Sequence, residues 1–169
     1  MTDSVKWYLR QIWAILILPF TVTAVIPFFL YFLFPKHETP WKAWPLIIAF
    51  PLFALGLGLL VWTIRLFMRI GNGTLAPWDP TRKLVVSGPY AYVRNPMLSG
   101  VFLILLAEAL AVQSCVIALW FGLFVAINVI YFPLSEEPGL RRRFGVEYEE
   151  YCRNVPRFLP RRTPWRPLE

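Results

Sequence analysis

Side chains able to hold a polar reactant fall in two stretches of this chain. The first, from Gly71 to Gly100, reads GNGTLAPWDPTRKLVVSGPYAYVRNPMLSG and brings Tyr90, Arg94 and Asn95 close together. The second, from Ser135 to Pro160, opens on Ser135-Glu136-Glu137-Pro138 and continues with Phe144-Gly145-x-x-Tyr148-x-x-Tyr151. Gly71-Asn72-Gly73 could let backbone amides approach a ligand, although a turn explains the same residues. It is no dinucleotide-binding fingerprint, because no strand precedes it and the third glycine is missing. Pro77, Pro80, Pro89 and Pro96 stiffen the first stretch into a shaped loop, as either a site or a rigid connector requires. For the Glu pair a capping role stands beside a chemical one, since Ser135 suits an N-cap and acids suit a first helical turn. Glu108 interrupts an apolar run, where an ionisable group is functional by default, but in the last helical turn before an outer loop it would reach water. His37, beside Lys36 and Glu38, has no second ligand near it, and Cys115 and Cys152 form neither a disulfide framework nor a metal spacing. No metal site is expected.

The elements that position these groups are set by hydropathy. Of 169 residues, 57% are hydrophobic and 16% charged, with a mean hydropathy of +0.54, whereas a soluble domain is about a quarter charged. Ile12–Phe34 runs 23 residues without a charge, enough to cross a hydrocarbon core of about 30 Å as a helix. It exceeds a signal-peptide core and lacks a cleavage site, so it is read as retained. Pro19 and Pro27 bend it, as packed membrane helices tolerate. Trp44–Ile64 is a second uncharged run, with indoles near its ends and a small-residue patch, Gly56-Leu57-Gly58, suited to close helix approach. From Pro96 to Ser135 the only charge is Glu108, and the weak polar break at Gln113-Ser114 divides this run into a hairpin of Met97–Val112 and Cys115–Leu134. The fold expected is therefore an all-α integral membrane protein of about four transmembrane helices. Residues 1–70 carry two spans, 71–160 a core with the helical hairpin, and 161–169 a basic tail.

Lysine and arginine set the orientation. With both termini cytoplasmic, 15 of the 17 basic residues lie inside, and only Lys36 and Lys42 lie outside. This asymmetry explains the net charge of +7 through membrane lipids as partners, with no need of nucleic acid. Arg141, Arg142, Arg143, Arg153, Arg157, Arg161, Arg162 and Arg166 are read as a solvated basic face against headgroups. Because the hairpin returns to its starting face, Glu136 and Glu137 should meet Tyr90, Arg94 and Asn95 there.

The blocks Gly88-Pro89-Tyr90-x-Tyr92-x-Arg94-Asn95-Pro96, the hairpin, Glu136-Glu137, Phe144-Gly145-x-x-Tyr148 and Val155-Pro156-Arg157-Phe158 resemble the integral-membrane methyltransferases. That superfamily includes the isoprenylcysteine carboxyl methyltransferases and the phospholipid methyltransferases. The resemblance extends from Gly71 to Pro160 and implies S-adenosylmethionine as cofactor, with S-adenosylhomocysteine as product. By the phospholipid enzymes, Gly71, Gly73, Glu136 and Glu137 would bind it. By the carboxyl methyltransferases, Arg82, Lys83, Leu84, Val85, Tyr90, Asn95, Pro96 and Glu136 would do so. Tyr90, Arg94 and Asn95 are the implied catalytic group. Asn95 stands where many members have histidine, and Leu98 where many have tyrosine. Phe132-Pro133-Leu134-Ser135 lacks the arginine with which prenylcysteine enzymes grip their substrate carboxylate, so a prenylcysteine substrate fits poorly.

Methyl transfer from a sulfonium needs mainly that two reactants be positioned, an effect worth about 7–11 kcal/mol. A polar cofactor from the cytoplasm and a small or lipophilic acceptor from the bilayer must meet at the membrane boundary, where the polar blocks lie. A phospholipid amine or a thiol is an alternative acceptor, and a non-enzymatic lipid-binding scaffold is the alternative class. The location implied is an integral membrane protein, of a bacterial inner membrane, with both termini cytoplasmic.

Overall fold

A computed structural model describes residues 16–34, 42–71 and 82–166, and among these every regular element is helical. Helix α1 (Ile26–Leu33) is preceded by a π-helical stretch, Leu16–Val25. The wide turns surround Pro19, which has no N–H to donate, and the Thr23 hydroxyl donates to the Pro19 carbonyl at 2.7 Å. At the expected Pro19 bend the helix widens. Helix α2 (Pro45–Leu66) runs on through a second wide stretch, Phe67–Gly71.

Helix α3 (Pro96–Val112) starts where Pro96 takes the first helical position and the Asn95 side chain accepts from the Leu98 N–H at 3.2 Å, a capped start. It ends at Gln113, whose φ of +54° turns the chain out of the helix. Ser114 then caps helix α4 (Cys115–Tyr131), its hydroxyl accepting from the Ile117 N–H at 3.5 Å. The Gln113-Ser114 break makes the hairpin expected from the sequence. The expected N-cap at Ser135 is not formed. The chain continues without interruption from α4 through a wide stretch, Phe132–Glu136, into helix α5 (Glu137–Asn154), with no side-chain cap at that junction. Pro133 sits within the wide stretch, as Pro19 does in the first. Helical geometry breaks later, at Gly145, with φ +53° and ψ −128°.

The most extensive helix pair is α2 with α3. Gly56 and Gly100 face each other so closely that a Cβ on Gly56 would lie 2.8 Å from the Gly100 carbonyl oxygen. Leu60, Val101, Ile104 and Leu105 form the core beside them. Of the patch Gly56-Leu57-Gly58, only Gly56 serves this approach, because a Cβ on Gly58 would meet open space. The N-terminal helix lies against the hairpin, where the Trp120 indole donates to the Val22 carbonyl at 3.3 Å. At one end of the bundle the hairpin turn meets the start of α2. The Lys42 N–H donates to the Gln113 side-chain oxygen at 3.1 Å, and the Gln113 amide donates back to the Lys42 carbonyl at 2.6 Å. The loop before α3 and the chain after α4 share the opposite end.

Large apolar side chains such as Ile47, Phe50, Leu119 and Leu134 are exposed along the helices, a surface suited to lipid rather than water. Pro45–Gly71 and Cys115–Asn154 are long and apolar enough to cross a membrane, while Pro19–Leu33 and Pro96–Val112 are shorter apolar helices. The chain is a membrane protein.

Candidate active site

The site lies at the end of the bundle shared by the loop 82–95 and the start of α5. Arg82 donates its N–H to the Gly71 carbonyl at 2.8 Å, so the chain returns after the glycine segment to the end of α2. Gly71 is buried, and Gly73 lies outside the described residues. Arg82 and Lys83 are exposed, whereas Val85 is buried. Leu84 packs on a cluster of Tyr148, Tyr151 and Val155.

A short 3₁₀ turn, Gly88–Ala91, then carries Tyr90 inward. Gly88 has φ +62°, and a Cβ there would lie 3.0 Å from Leu66 and 3.3 Å from the Trp62 ring, so this position needs glycine for both conformation and space. The Tyr90 ring is buried against Phe67, with centroids 5.4 Å apart. Its carbonyl accepts from the Tyr151 hydroxyl at 2.7 Å. Burial, with Tyr151 as neighbour, holds the Tyr90 phenol well above its ordinary pKa. Burial likewise raises Tyr148 and Tyr151. These phenols are neutral hydrogen-bonding groups at any physiological pH.

Glu137 is the electrostatic centre. Its carboxylate is 4% exposed and lies between two guanidiniums. Arg94 approaches to 3.0 Å of Oε1. Arg157 donates through Nε to Oε1 at 2.6 Å and through a terminal nitrogen to Oε2 at 2.9 Å, the bidentate geometry that makes such pairs strong. Donation to the Glu137 carboxylate raises the Arg157 pKa further. Arg94 also donates to the Cys152 sulfur at 2.8 Å, and its own Nε is buried without a partner among the described residues. The reading of Arg157 as part of a solvated face is therefore corrected: it turns inward to hold Glu137. Its sequence signal was the block Val155-Pro156-Arg157-Phe158, whose partner lies 20 positions earlier.

The structure thus joins Arg94 and Glu137, as the hairpin argument expects, with Arg157 as a third member, while Tyr90 stands beside them on Tyr151 and Phe67. Asn95 caps α3 at the edge of this network, and Pro96 is buried in the first turn. Glu136, by contrast, is exposed and makes no ion pair among the described residues. The two adjacent carboxylates therefore differ in kind. Glu137 has both oxygens occupied by protein, while Glu136 has no partner within ion-pair distance among the described residues; partial burial raises its pKa, and the charge of Arg143 acts against that rise.

Residues 44–147, more than half of the chain, match the family described as phospholipid methyltransferase. The chain belongs to that family. This membrane methyltransferase is accordingly an enzyme and not merely a lipid-binding scaffold. No curated protein and no solved structure matches it. The matched segment contains α2, the loop, the hairpin and the first half of α5. It stops short of Tyr148, Tyr151 and Arg157, which complete the network.

Proposed function

We propose that this methyltransferase moves a methyl group from S-adenosylmethionine to a lipid-like acceptor, with an amine-bearing phospholipid foremost, at the cytoplasmic face of the membrane. The observation that carries the reading is the division of labour within Glu136-Glu137. A ligand with hydroxyls and an ammonium needs an available carboxylate, and of the two only Glu136 is exposed and outside the ion pairs, which Arg94 and Arg157 make with Glu137. The residues present therefore fit such a cofactor, with Glu136 and Gly71 as its holders and Tyr90, Val85 and Pro96 as the buried frame. When bound, S-adenosylmethionine supplies a methyl group on a sulfonium, open to in-line displacement by the acceptor.

The chain's own contribution is positional. Tyr90 is fixed by Phe67 and Tyr151, Asn95 by its capping bond, and Glu137 by two arginines, so the loop presents one geometry to both reactants. Four spans with both termini cytoplasmic fit the charge asymmetry, and this end of the bundle is then the basic one. The stretch Phe132–Ser135 holds no cation, and its Leu134 and Ser135 are exposed, which leaves a prenylcysteine carboxylate without a grip there.

The test is titration of the purified protein with S-adenosylmethionine and S-adenosylhomocysteine, followed by radiolabelled methyl transfer to phosphatidylethanolamine, prenylcysteine and short thiols. Saturable binding should weaken about 10- to 150-fold in Glu136→Gln, the equivalent of a charge-assisted hydrogen bond of about 1.5–3 kcal/mol. Unchanged affinity in the folded variant removes Glu136 from the site. Efficient methylation of prenylcysteine overturns the acceptor class.

A further inference from the structure

At the opposite end of the bundle stands a carboxylate that the methyl-transfer reading does not use. Glu108 lies 12 residues along α3 from Pro96, about 18 Å at 1.5 Å per residue. Glu108 is partly exposed, as an acid near the end of α3 is expected to be, but not both of its oxygens share that exposure. Its Oε2 is buried and has no hydrogen-bond partner among the described residues. Glu108 also makes no ion pair there. A carboxylate oxygen buried without a partner is costly, so an external donor or cation that reaches Oε2 is favoured at this position.

Two grooves meet at that carboxylate. One, of about 460 Å³, lies between the N-terminal helix and the hairpin and carries Thr23, Phe28 and Tyr31 on its wall. The other, of about 430 Å³, lies against α2 and is lined by Leu46, Phe50 and Phe53. Both are floored by Glu108, Ala111 and Val112, which share one face of α3 by their three- and four-residue spacing. These volumes are in the range of small-molecule sites. The chemistry is specific. A carboxylate beside aromatic rings recognises an ammonium, through its charge and through the ring faces, and the purely apolar groove next to it accepts a hydrocarbon tail. Among the described residues neither groove is lined by a cation that would meet a phosphate.

We propose that the Glu108 cleft is a second binding site, for a singly cationic amphiphile: an alkylammonium whose head pairs with Glu108 beside Phe28 and Tyr31 and whose tail lies along Phe50 and Phe53. The site stands apart from the methyl-transfer site and does not depend on that assignment.

The probe is radiolabelled dodecylammonium, whose N–H groups can donate to Glu108 Oε2, offered to the full chain in maltoside micelles by equilibrium dialysis. Saturable binding of one probe per chain is expected, weakened at least about 10-fold in Glu108→Gln, since an ion-paired contact is removed. Glu136→Gln should leave it unchanged. Ala24→Phe, which fills the first groove and leaves the carboxylate in place, should also weaken binding, and it decides the matter if Glu108→Gln does not fold. Dodecanol should not compete. Equal binding in either folded variant, competition by dodecanol equal to that of the ammonium, or no saturable binding to the native chain overturns the proposal. Competition by phosphatidylethanolamine stronger than by the unlabelled alkylammonium overturns the ligand class.

Discussion

Replacing Gly56 by alanine tests the helix packing that fixes the bundle. The new Cβ would stand 2.8 Å from the Gly100 carbonyl oxygen and 3.0 Å from the Ile104 nitrogen, both backbone atoms. A carbon and a carbonyl oxygen rest at about 3.3–3.6 Å, so α2 and α3 must separate by about 0.5 Å. A gap of that size forfeits about a quarter of each dispersion contact. The buried Leu60 side chain alone makes on the order of 40–60 such contacts of about 0.1–0.2 kcal/mol, so a quarter amounts to about 1–3 kcal/mol. Overpacked cores lose a similar amount. At about 2–4 °C per kcal/mol for a chain of this size, the melting temperature in detergent should fall by several degrees. Gly58→Ala meets nothing within 4 Å and should melt no lower than the native chain, since alanine is the better helix former. Thermal melts followed by size-exclusion chromatography provide the comparison. Equal melting temperatures for Gly56→Ala and Gly58→Ala would refute the assignment of the close approach to Gly56.

Glu137→Gln should be strongly destabilising, by about 3–5 kcal/mol, because the buried Arg94 loses its counter-charge; Arg157→Gln, at a guanidinium 35% exposed, should lose only about 1 kcal/mol after screening, and a reversed order in detergent melts would contradict the network. Asn95→Ala should lose about 0.5–2 kcal/mol with its cap, whereas Asn95→Asp keeps the cap, so a folded Asn95→Asp without methyl transfer would place Asn95 in the reaction. Tyr90, Tyr148 and Tyr151 are held above the ordinary 10.0 in the fold. The unfolded chain therefore loses these protons first, and the stability present below pH about 10 is lost as pH rises. Melts to pH about 11 should show a steep alkaline limb that is shallower in Tyr151→Phe.

The hairpin was legible because its signal is local. A long apolar run contained one pair, Gln113-Ser114, able to end one helix and cap the next. The meeting of Arg94 with Glu137 followed from the hairpin by topology alone. Which of Glu136 and Glu137 turns inward did not follow, because the helical phase at that point depends on the wide turns over Phe132–Glu136, and a 3.6-residue pattern does not contain them. The same continuity removed the N-cap expected at Ser135. Arg157 was hidden among eight arginines of similar appearance, and only the reversal of the chain after Val155 singles it out. Gly56 and Gly58 look alike in sequence and differ by which face of α2 they occupy. Glu108 was placed near water by counting residues to the end of α3, and it is partly exposed, but its Oε2, at the foot of the groove beside the N-terminal helix, is buried without a partner among the described residues.

The tail beyond the matched segment has a physical reason to belong to the site. A loop as irregular as 84–95 cannot satisfy its own carbonyls, and at a membrane surface buried ones need partners. Three consecutive carbonyls receive them from the tail: Tyr90 from the Tyr151 hydroxyl at 2.7 Å, Ala91 from the Trp165 N–H at 2.9 Å, and Tyr92 from the Arg161 N–H at 3.0 Å. The bond from the Arg94 N–H to the Pro156 carbonyl, at 2.9 Å, runs the other way. The loop is thus held along its length by main-chain bonds to 156–165, while Arg157 of the same segment neutralises Glu137. Two arginines that sequence assigns to headgroup attraction thus serve the site, Arg161 through its main-chain N–H to Tyr92 and Arg157 through its pair with Glu137. A tail docked in this way fixes Glu137 inward, and Glu136 is directed outward as a consequence of that docking.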